Sequence, residues 1–366
     1  MSKRATVLLL IPHLGGGGAE RVTALLAGGL DPAKFEVHLG LVTQCDEARE
    51  SIPLWVNVHC IGARRVRSGA WGILRLVRRL HPDVIFSGIA HLNLLVLLLR
   101  PLFPRGTRVI IRQSASLDRQ AASSSASFWY RWLYPIADAV VCQTHAMSAA
   151  LAGIAPAGGK LCVLPNPVDV DRIRMETRDA ATPWTGSGPH LLAIGRLAPE
   201  KGFDLLLAAF AQLRRRYPAA DLTILGEGRE RRLLEVLAWV LGVGAAVRLA
   251  GHVRQPAAWF RGATLFVGSS RDDALPNALL EAAAAGLPIV TTEASGGVVE
   301  LLRQQEGVWL SAEISANGIL AAIEEALHSL QPGQRFPHPW VDGFRMERAV
   351  AAYEALIQEQ LVQQWQ

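Results

Sequence analysis

The chain has 366 residues, half of them apolar, and a formal net charge of +5 at neutral pH. That is more than one ordinary core accommodates and suits two domains of about 150 to 200 residues each. The greasiest segment, residues 91–103, is interrupted by Arg100 and Pro101 and falls far short of the roughly 20 residues that cross a bilayer, so a chain that is soluble, or lies on a membrane without spanning it, is expected.

The charge is divided unevenly. Residues 1–165 hold 18 Lys and Arg against 9 Asp and Glu, whereas the remainder holds 19 against 23. A basic front half points to an anionic surface or partner on that side. The four cysteines (Cys45, Cys60, Cys142 and Cys162) show no metal-type spacing and read as buried thiols of a reducing, cytoplasmic compartment. The apolar run Val7 to Ile11 is strand-length and leads straight into Pro12 and a glycine run, which does not fit a secretory signal.

In the front half, strand-length apolar runs occur near 6–11, 36–41, 56–60, 84–87, 108–112, 139–143 and 161–164. Helical patterns fall near 19–29, 71–80, 93–100, 129–135 and 144–153. Short buried strands alternating with helices imply a parallel sheet covered on both faces. From Pro165 to Pro189 the apolar periodicity lapses, and the domain boundary belongs there. The alternation restarts with strands near 190–194, 221–225, 247–250, 265–268 and 288–292. Helices are expected near 203–215, 230–241, 256–261, 277–285, 314–329 and 343–362. The expected division is an α/β domain over 1–167, a second over 168–342, and a terminal helix in 343–366. The two Rossmann-like, doubly wound domains are expected to face each other across a cleft. Ligands of such sheets bind beyond the carboxyl ends of the strands, and each motif below falls at one of those ends.

The first strand ends in PHLGGGGAERV, where Gly17 and Gly18 precede a helix whose amides could meet a phosphate or the sugar beside it. The motif lacks the Lys-Ser/Thr of a P-loop and does not match GxGxxG. After strand 190–194 comes GRLAPEKG, with Arg196 at once and Lys201 five residues on. Two cations fixed near a helix start suit a diphosphate, whose charge must be stabilised as it leaves. LGEG, with Gly226 and Gly228, allows close backbone approach after the next strand. AGHV could set backbone groups, Val253 among them, against a base. His252 reads as a surface loop histidine.

The richest stretch is SSRDDALPNALLEAAAAGLPIVTTEASGGVVE. Asp273 lies in its loop, and Asn277 and Glu281 share one face of the helix that follows. Glu281 could accept both ribose hydroxyls, Asp273 could hold hydroxyls of a sugar, and amides near Ala274 and Leu275 could hold phosphate. Hydroxyls at both ends and negative charge in the middle describe a nucleotide-sugar. The Asp-x-Asp of VDVDR sits in the linker, away from these features. No cluster elsewhere has metal-ligand spacing, so no metal site and no cofactor is expected.

GRLAPEKG, LGEG, AGHV and DALPNALLEAAAAGLPIVTT, in that order, resemble glycosyltransferase family 4, retaining enzymes of the GT-B fold. VLPNPVD and PHLGGGGAERV extend the resemblance to nearly the whole chain. It implies Arg196 and Lys201 on the donor diphosphate, Glu281 on the ribose, and Asp273 near the transferred sugar as the first acid of a two-acid motif. Here that first acid is Asp where the family usually has Glu, and Ala274 stands where Gly is common. It also implies a terminal helix that packs back on the first domain. Many members carry a His in the loop after the strand equivalent to 108–112; here Arg112 and Gln113 occupy it. With His91 they are the candidate acceptor contacts.

The resemblance implies metal-independent transfer of a hexosyl or N-acetylhexosaminyl group from a nucleotide diphosphate sugar, with UDP the leading base, to a hydroxyl. The acceptor would be a carbohydrate, lipid-linked or a surface-polysaccharide precursor. Arginines 64, 65, 67, 75, 78 and 79 and the run FWYRWLY add an anionic membrane surface as a further partner, at the cytoplasmic face. Nucleic acid is not a partner, because no basic–aromatic strand platform occurs. Two alternatives stay open: a nucleotide-sugar-binding subunit with little catalysis, and an epimerase or phosphorylase on the same fold.

Overall fold

The structure is a computed structural model describing residues 4–15, 17–44, 52–114, 124–155, 160–253, 255–294 and 296–363, without the side chains of 124–127. Contacts divide the chain into two units. The first is Met1–Pro167 together with Met346–Gln366, and the second is Val168–Arg345.

The first unit is built on seven strands: β1 (Ala5–Ile11), β2 (Phe35–Leu41), β3 (Asn57–Cys60), β4 (Val84–Ser87), β5 (Arg108–Arg112), β6 (Ala139–Cys142) and β7 (Leu161–Val163). Their order is β3-β2-β1-β4-β5-β6-β7 and every ladder is parallel. The helices are α1 (Gly18–Gly29), α2 (Ala70–Leu80), α3 (Ala90–Leu99), α4 (Ser124–Leu133) and α5 (His145–Ile154). Val7 to Ile11 and the whole of β4 are buried. This is why these strands read as unbroken apolar runs and not as alternating ones.

The second unit begins with α6 (Val170–Asp179). Six strands follow: β8 (His190–Ile194), β9 (Asp221–Leu225), β10 (Val247–Gly251), β11 (Leu265–Gly268), β12 (Ile289–Thr292) and β13 (Val308–Ser311). Between and after them run α7 (Phe203–Arg216), α8 (Arg231–Val240), α9 (Ala257–Gly262), α10 (Asn277–Ala284), α11 (Gly296–Leu302) and α12 (Ala316–Ser329). The sheet order is β10-β9-β8-β11-β12-β13, again parallel throughout. In both units the strand order reverses beside the first strand, between β1 and β4 and between β8 and β11. That reversal opens the crevice where doubly wound sheets take ligands.

The final helix, α13 (Met346–Val362), belongs to the first unit. Ala349, Val350, Tyr353, Leu356 and Ile357 recur at helical spacing and are all buried. Glu354 accepts from the Asp31 amide at 2.7 Å and meets the Lys34 ammonium at 2.8 Å.

Several elements differ from the sequence reading. α6 lies inside the expected break, because only Val170, Ile173 and Thr177 of its ten residues are buried and the rest are mostly charged. Its Asp169 caps the helix by accepting from the Arg172 amide at 3.2 Å, and Asp171 pairs with Arg345 at 2.6 Å. Asp-x-Asp is thus used for capping and pairing. β13 and α11 are additional elements. Cys60 is disulfide-bonded, against the expectation of four thiols. Cys142 and Cys162 are free, and burial pushes their thiols up to about 12 and about 11. Cys45 lies outside the described residues. Among the described residues no helix is long and apolar enough to cross a membrane.

Candidate functional site

The second unit gathers most of the expected site at the carboxyl ends of β8, β9 and β11. After β8 the chain runs through Gly195 and Arg196 into a short 3-10 turn, Pro199–Lys201. It then enters α7 through Gly202, whose backbone is left-handed at φ 62°. A side chain at Gly202 would put its Cβ 2.1 Å from the Ser269 carbonyl oxygen. Glycine is therefore what lets this loop lie directly on the loop after β11.

That second loop, 269–276, is clasped to the first from several sides. The Ser269 hydroxyl donates to the Lys201 carbonyl at 2.8 Å, and the Arg271 amide donates to the Glu200 carbonyl at 2.8 Å. Arg271 also forms a bidentate pair with Asp204, both bonds at 2.6 Å. The Lys201 ammonium is hydrogen-bonded to the Asp273 carboxylate. Lys201 lines a small cavity with Ile194, Phe203, Ser269, Ser270 and Pro276. The cavity sits where β8 and β11 adjoin, at the reversal of strand order. Arg196 projects outward, its side chain 72% exposed, and reaches Glu200 at 2.7 Å.

Glu281 is 6% exposed on α10, and Ala274 and Leu275 at the approach to that helix are each 4% exposed. Asn277 opens the helix and is half-buried. The loop thus carries Asp273 next to the lysine and leads directly into the helix that bears Glu281.

LGEG lies against the loop that follows β8. A Cβ at Gly226 would stand 1.9 Å from the Gly195 carbonyl oxygen, and one at Gly228 would stand 2.2 Å from that of Leu197. The Gly195 amide donates to Leu225, and the Leu197 amide to Glu227, both at 2.9 Å. The space a side chain would need at Gly226 is taken by the loop that carries Arg196. Val253, two residues beyond β10, is half-buried, and His252 before it is exposed.

In the first unit, Gly17 caps α1 with extended backbone, and the Glu20 carboxylate folds over it, 2.1 Å from where a Cβ would be. Gly18 is the first residue of α1. His91 opens α3 after β4 and lies near Glu20 and His13. Burial holds its pKa below the ordinary imidazole value, His13 acts in the same direction, and Glu20 opposes both.

Arg112 and Gln113 are 1% and 0% exposed, so neither side chain is presented to an acceptor in this structure. Arg112 donates to the Asn166 side chain and lies beside Tyr353. Burial lowers its pKa, and the Tyr353 hydroxyl beside it acts in the opposite direction. Gln113 accepts from the Tyr134 hydroxyl at 2.6 Å. They face inward because β5 is a central strand covered on both sides.

Three participants escaped the sequence reading: Glu200, Asp204 and Arg271. Each adjoins a motif residue, but its pairing depends on a contact that spacing does not reveal. Among the described residues no group of three or more His, Cys, Asp or Glu is placed to hold a metal.

Comparison with known proteins bears on the family and the fold. Residues 16–172 match the profile described as Glycosyltransferase Family 4, and residues 188–329 match that of Glycosyl transferases group 1. The lipopolysaccharide core biosynthesis glycosyltransferase LpsE of Rhizobium meliloti is 31% identical over 194 residues, which are 52% of this chain and 54% of that one. The chain spans between half and two thirds of the length of the first curated relatives it matches. Among solved structures, sucrose-phosphate synthase from Thermosynechococcus elongatus superimposes with a TM-score of 0.77 at 18% identity, covering 99% of each chain. Anabaena Alr3699/HepE in complex with UDP and glucose gives 0.76 at 16% identity, covering 96% of this chain and 99% of its own.

Proposed function

The chain belongs to the glycosyltransferases of family 4, with the GT-B fold, and from that premise we propose that it moves a sugar from a nucleotide diphosphate donor to a hydroxyl with retention at the anomeric carbon. The observation that carries this reading is Lys201 at the β8–β11 reversal, in a small cavity, with Asp273 bonded to it and Arg196 five residues before it. A pyrophosphate leaving group gathers negative charge as the glycosidic bond breaks. Fixed cations beside it lower that barrier most in the transition state. No protein nucleophile is required: the departing diphosphate oxygen takes the acceptor proton on the face it leaves.

In this reading Glu281 accepts the ribose hydroxyls, amides near Ala274, Leu275 and Asn277 meet the phosphates, and Val253 adjoins the base. Gly17 and Gly18 are the first unit's own candidates for a phosphate or the sugar beside it. The diphosphate is assigned to Arg196 and Lys201, with no metal asked of the protein. UDP is the favoured nucleotide, supported by the UDP and glucose named with HepE. A lipid-linked precursor of a surface polysaccharide is the favoured acceptor, supported by the name of LpsE.

Lys201→Ala tests the assignment. Losing one oxyanion-type contact lowers turnover by roughly 100-fold or more. The donor is first found by thermal shift with UDP-, GDP- and ADP-sugars, and nucleotide release is then followed at saturating donor. Turnover near wild type would remove Lys201 from the chemistry. The Lys201–Asp273 bond also favours a second reading, a nucleotide-sugar-binding subunit with slow transfer. Tight donor binding without nucleotide release, whatever acceptor is offered, would establish it.

A further inference from the structure

Residues 51–82 contain six arginines and no Asp or Glu. α2 lies at the end of that segment and is sharply two-sided. Ile73, Leu74, Leu76 and Val77 are buried, while Trp71, Arg75 and Arg78, spaced four and three residues apart, are exposed along one stripe. Trp71 is 66% exposed, although a tryptophan on a core-packed helix ordinarily turns inward.

α4 is divided in the same way. Tyr130 and Leu133 face the interior, as does Tyr134 in the 3-10 turn that follows, where it bonds Gln113. Phe128, Trp129 and Trp132 face out at 45 to 63% exposure, their rings clustered 5.7 and 6.2 Å from that of Phe128. Arg131 between them is exposed. α2 and α4 both pack against α3. α3 and the 3-10 turn after it expose Leu98 and Leu102 at about half their surface. The arginine stripe and the aromatic cluster therefore belong to one helical layer.

We infer that the α2–α3–α4 layer of the first unit is a docking face for an anionic lipid bilayer. The inference deepens the reading of a lipid-linked acceptor and rests on it only for its purpose. Tryptophan favours the level of the lipid headgroups, where its ring is half in hydrocarbon and its N–H stays wet. Arginines flanking such rings are drawn to negative headgroups. A second copy of the chain suits this face poorly, because a two-fold contact sets a patch against itself and would oppose arginine to arginine. Duplex DNA would match the arginines but gains nothing from exposed leucines. Gln113 lies beneath the same helix, so docking through α4 would hold the carboxyl end of β5 close to the lipid.

The test is flotation of the full chain with vesicles of phosphatidylcholine alone and of phosphatidylcholine with phosphatidylglycerol. Binding is expected only with the anionic lipid and is released at high salt, because exposed charges are screened. R75Q/R78Q weakens it by about fivefold for each arginine. W129S/W132S also weakens it and reduces the quenching of tryptophan fluorescence by brominated lipid chains. All four side chains are exposed, so an unchanged melting temperature shows that the fold is intact. Four outcomes overturn the inference: indifference to anionic lipid, binding unaltered in both variants, preference for a DNA duplex over vesicles, or self-association that occupies the face. Flotation needs no donor. A chain that docks but never releases nucleotide overturns only the catalytic reading, and one that transfers sugar but ignores vesicles overturns only this one.

Discussion

A donor diphosphate and the Asp273 carboxylate would compete for the same ammonium group of Lys201. The two residues lie 72 positions apart and are both mostly buried, at 21% and 16% side-chain exposure. Binding a donor there would exchange one anion on Lys201 for another and would leave Asp273 to accept a sugar hydroxyl. Asp273→Asn removes the competitor while keeping the shape. It is expected to bind UDP alone more tightly, by roughly tenfold, the scale of one charge-assisted hydrogen bond, and yet to transfer sugar more slowly. Calorimetry with UDP and a turnover assay check the two halves separately; unchanged or weaker UDP binding would show that the pair does not resist the donor. Arg196, Lys201 and Asp273 were legible in the sequence because each follows a strand end in a motif. Their partners were not. Glu200 and Asp204 flank Lys201 as ordinary acids, and nothing in their spacing shows that one will hold Arg196 and the other Arg271. Gly226 was legible as a residue needing no side chain, but for another reason: the Gly195 carbonyl occupies the place of its Cβ.

At the scale of elements, the edge of the first sheet carries a pH-dependent join. His38 on β2 and His59 on β3 share a hydrogen bond, Nδ1 to Nε2, at 2.8 Å. Arg79 on α2 donates to His59 Nδ1 at 3.1 Å, and Glu36 stands 3.4 Å from His38 Nε2. The order of donors is then determined: Arg79 to His59, His59 to His38, His38 to Glu36. Both rings must be neutral, since a proton added to either sets two N–H groups face to face. Burial lowers the pKa of each ring; for His38, Glu36 opposes burial and Arg79 adds to it, and for His59, His38 and Arg79 add to it. A folded-state pKa held below the unfolded value of about 6.5 means that the native state binds fewer protons. The stability is present above that pH and is lost as pH falls below it. Losing one half-buried hydrogen bond, about 1 kcal/mol, lowers the melting temperature by roughly 3 °C between pH 7 and 5. His59→Gln should flatten that dependence in a calorimetric pH series; an unchanged slope would exclude the pair as its source. The strands were legible because burial on both faces leaves them unbroken apolar runs. α6 was not, since a helix with three buried positions among charged neighbours has too narrow a stripe to read. The two faces of α4 were also hidden, because FWYRWLY is aromatic all round and only the structure shows which rings turn inward.

For the molecule as a whole, sequence order and structural unit part company. The second unit is one uninterrupted segment whose ends meet: Val168 and Arg345 form a bridge, and the Val168 amide donates to the Phe344 carbonyl at 2.8 Å. The first unit is assembled from two segments, and its sheet is complete without the second. What residues 346–362 add is the cover over one face. Val350, Tyr353, Leu356 and Ile357 are each at most 8% exposed, and the Tyr353 ring stands edge-on to Phe86 at 5.8 Å. Burying four such side chains contributes roughly 2 kcal/mol apiece, together comparable with the whole stability of about 5 to 15 kcal/mol of an ordinary domain. Arg112 makes the loss worse, because its buried guanidinium lies beside Tyr353, and stripping the helix would leave that charge against an uncovered core. A fragment of residues 168–345 should therefore melt cooperatively by itself. A fragment of residues 1–167 should fail to do so until a peptide of residues 346–366 is added in trans. Circular dichroism melts of the two fragments, with and without the peptide, decide the matter. Cooperative melting of 1–167 alone, or no gain on adding the peptide, would show that the returning helix is ornament to a core that stands without it. The helix was legible by its spacing, and its attachment to the first unit was expected only through family resemblance. Spacing along a helix shows that one face seeks cover, but the partner of that face is set by where the chain arrives after 178 residues of another unit.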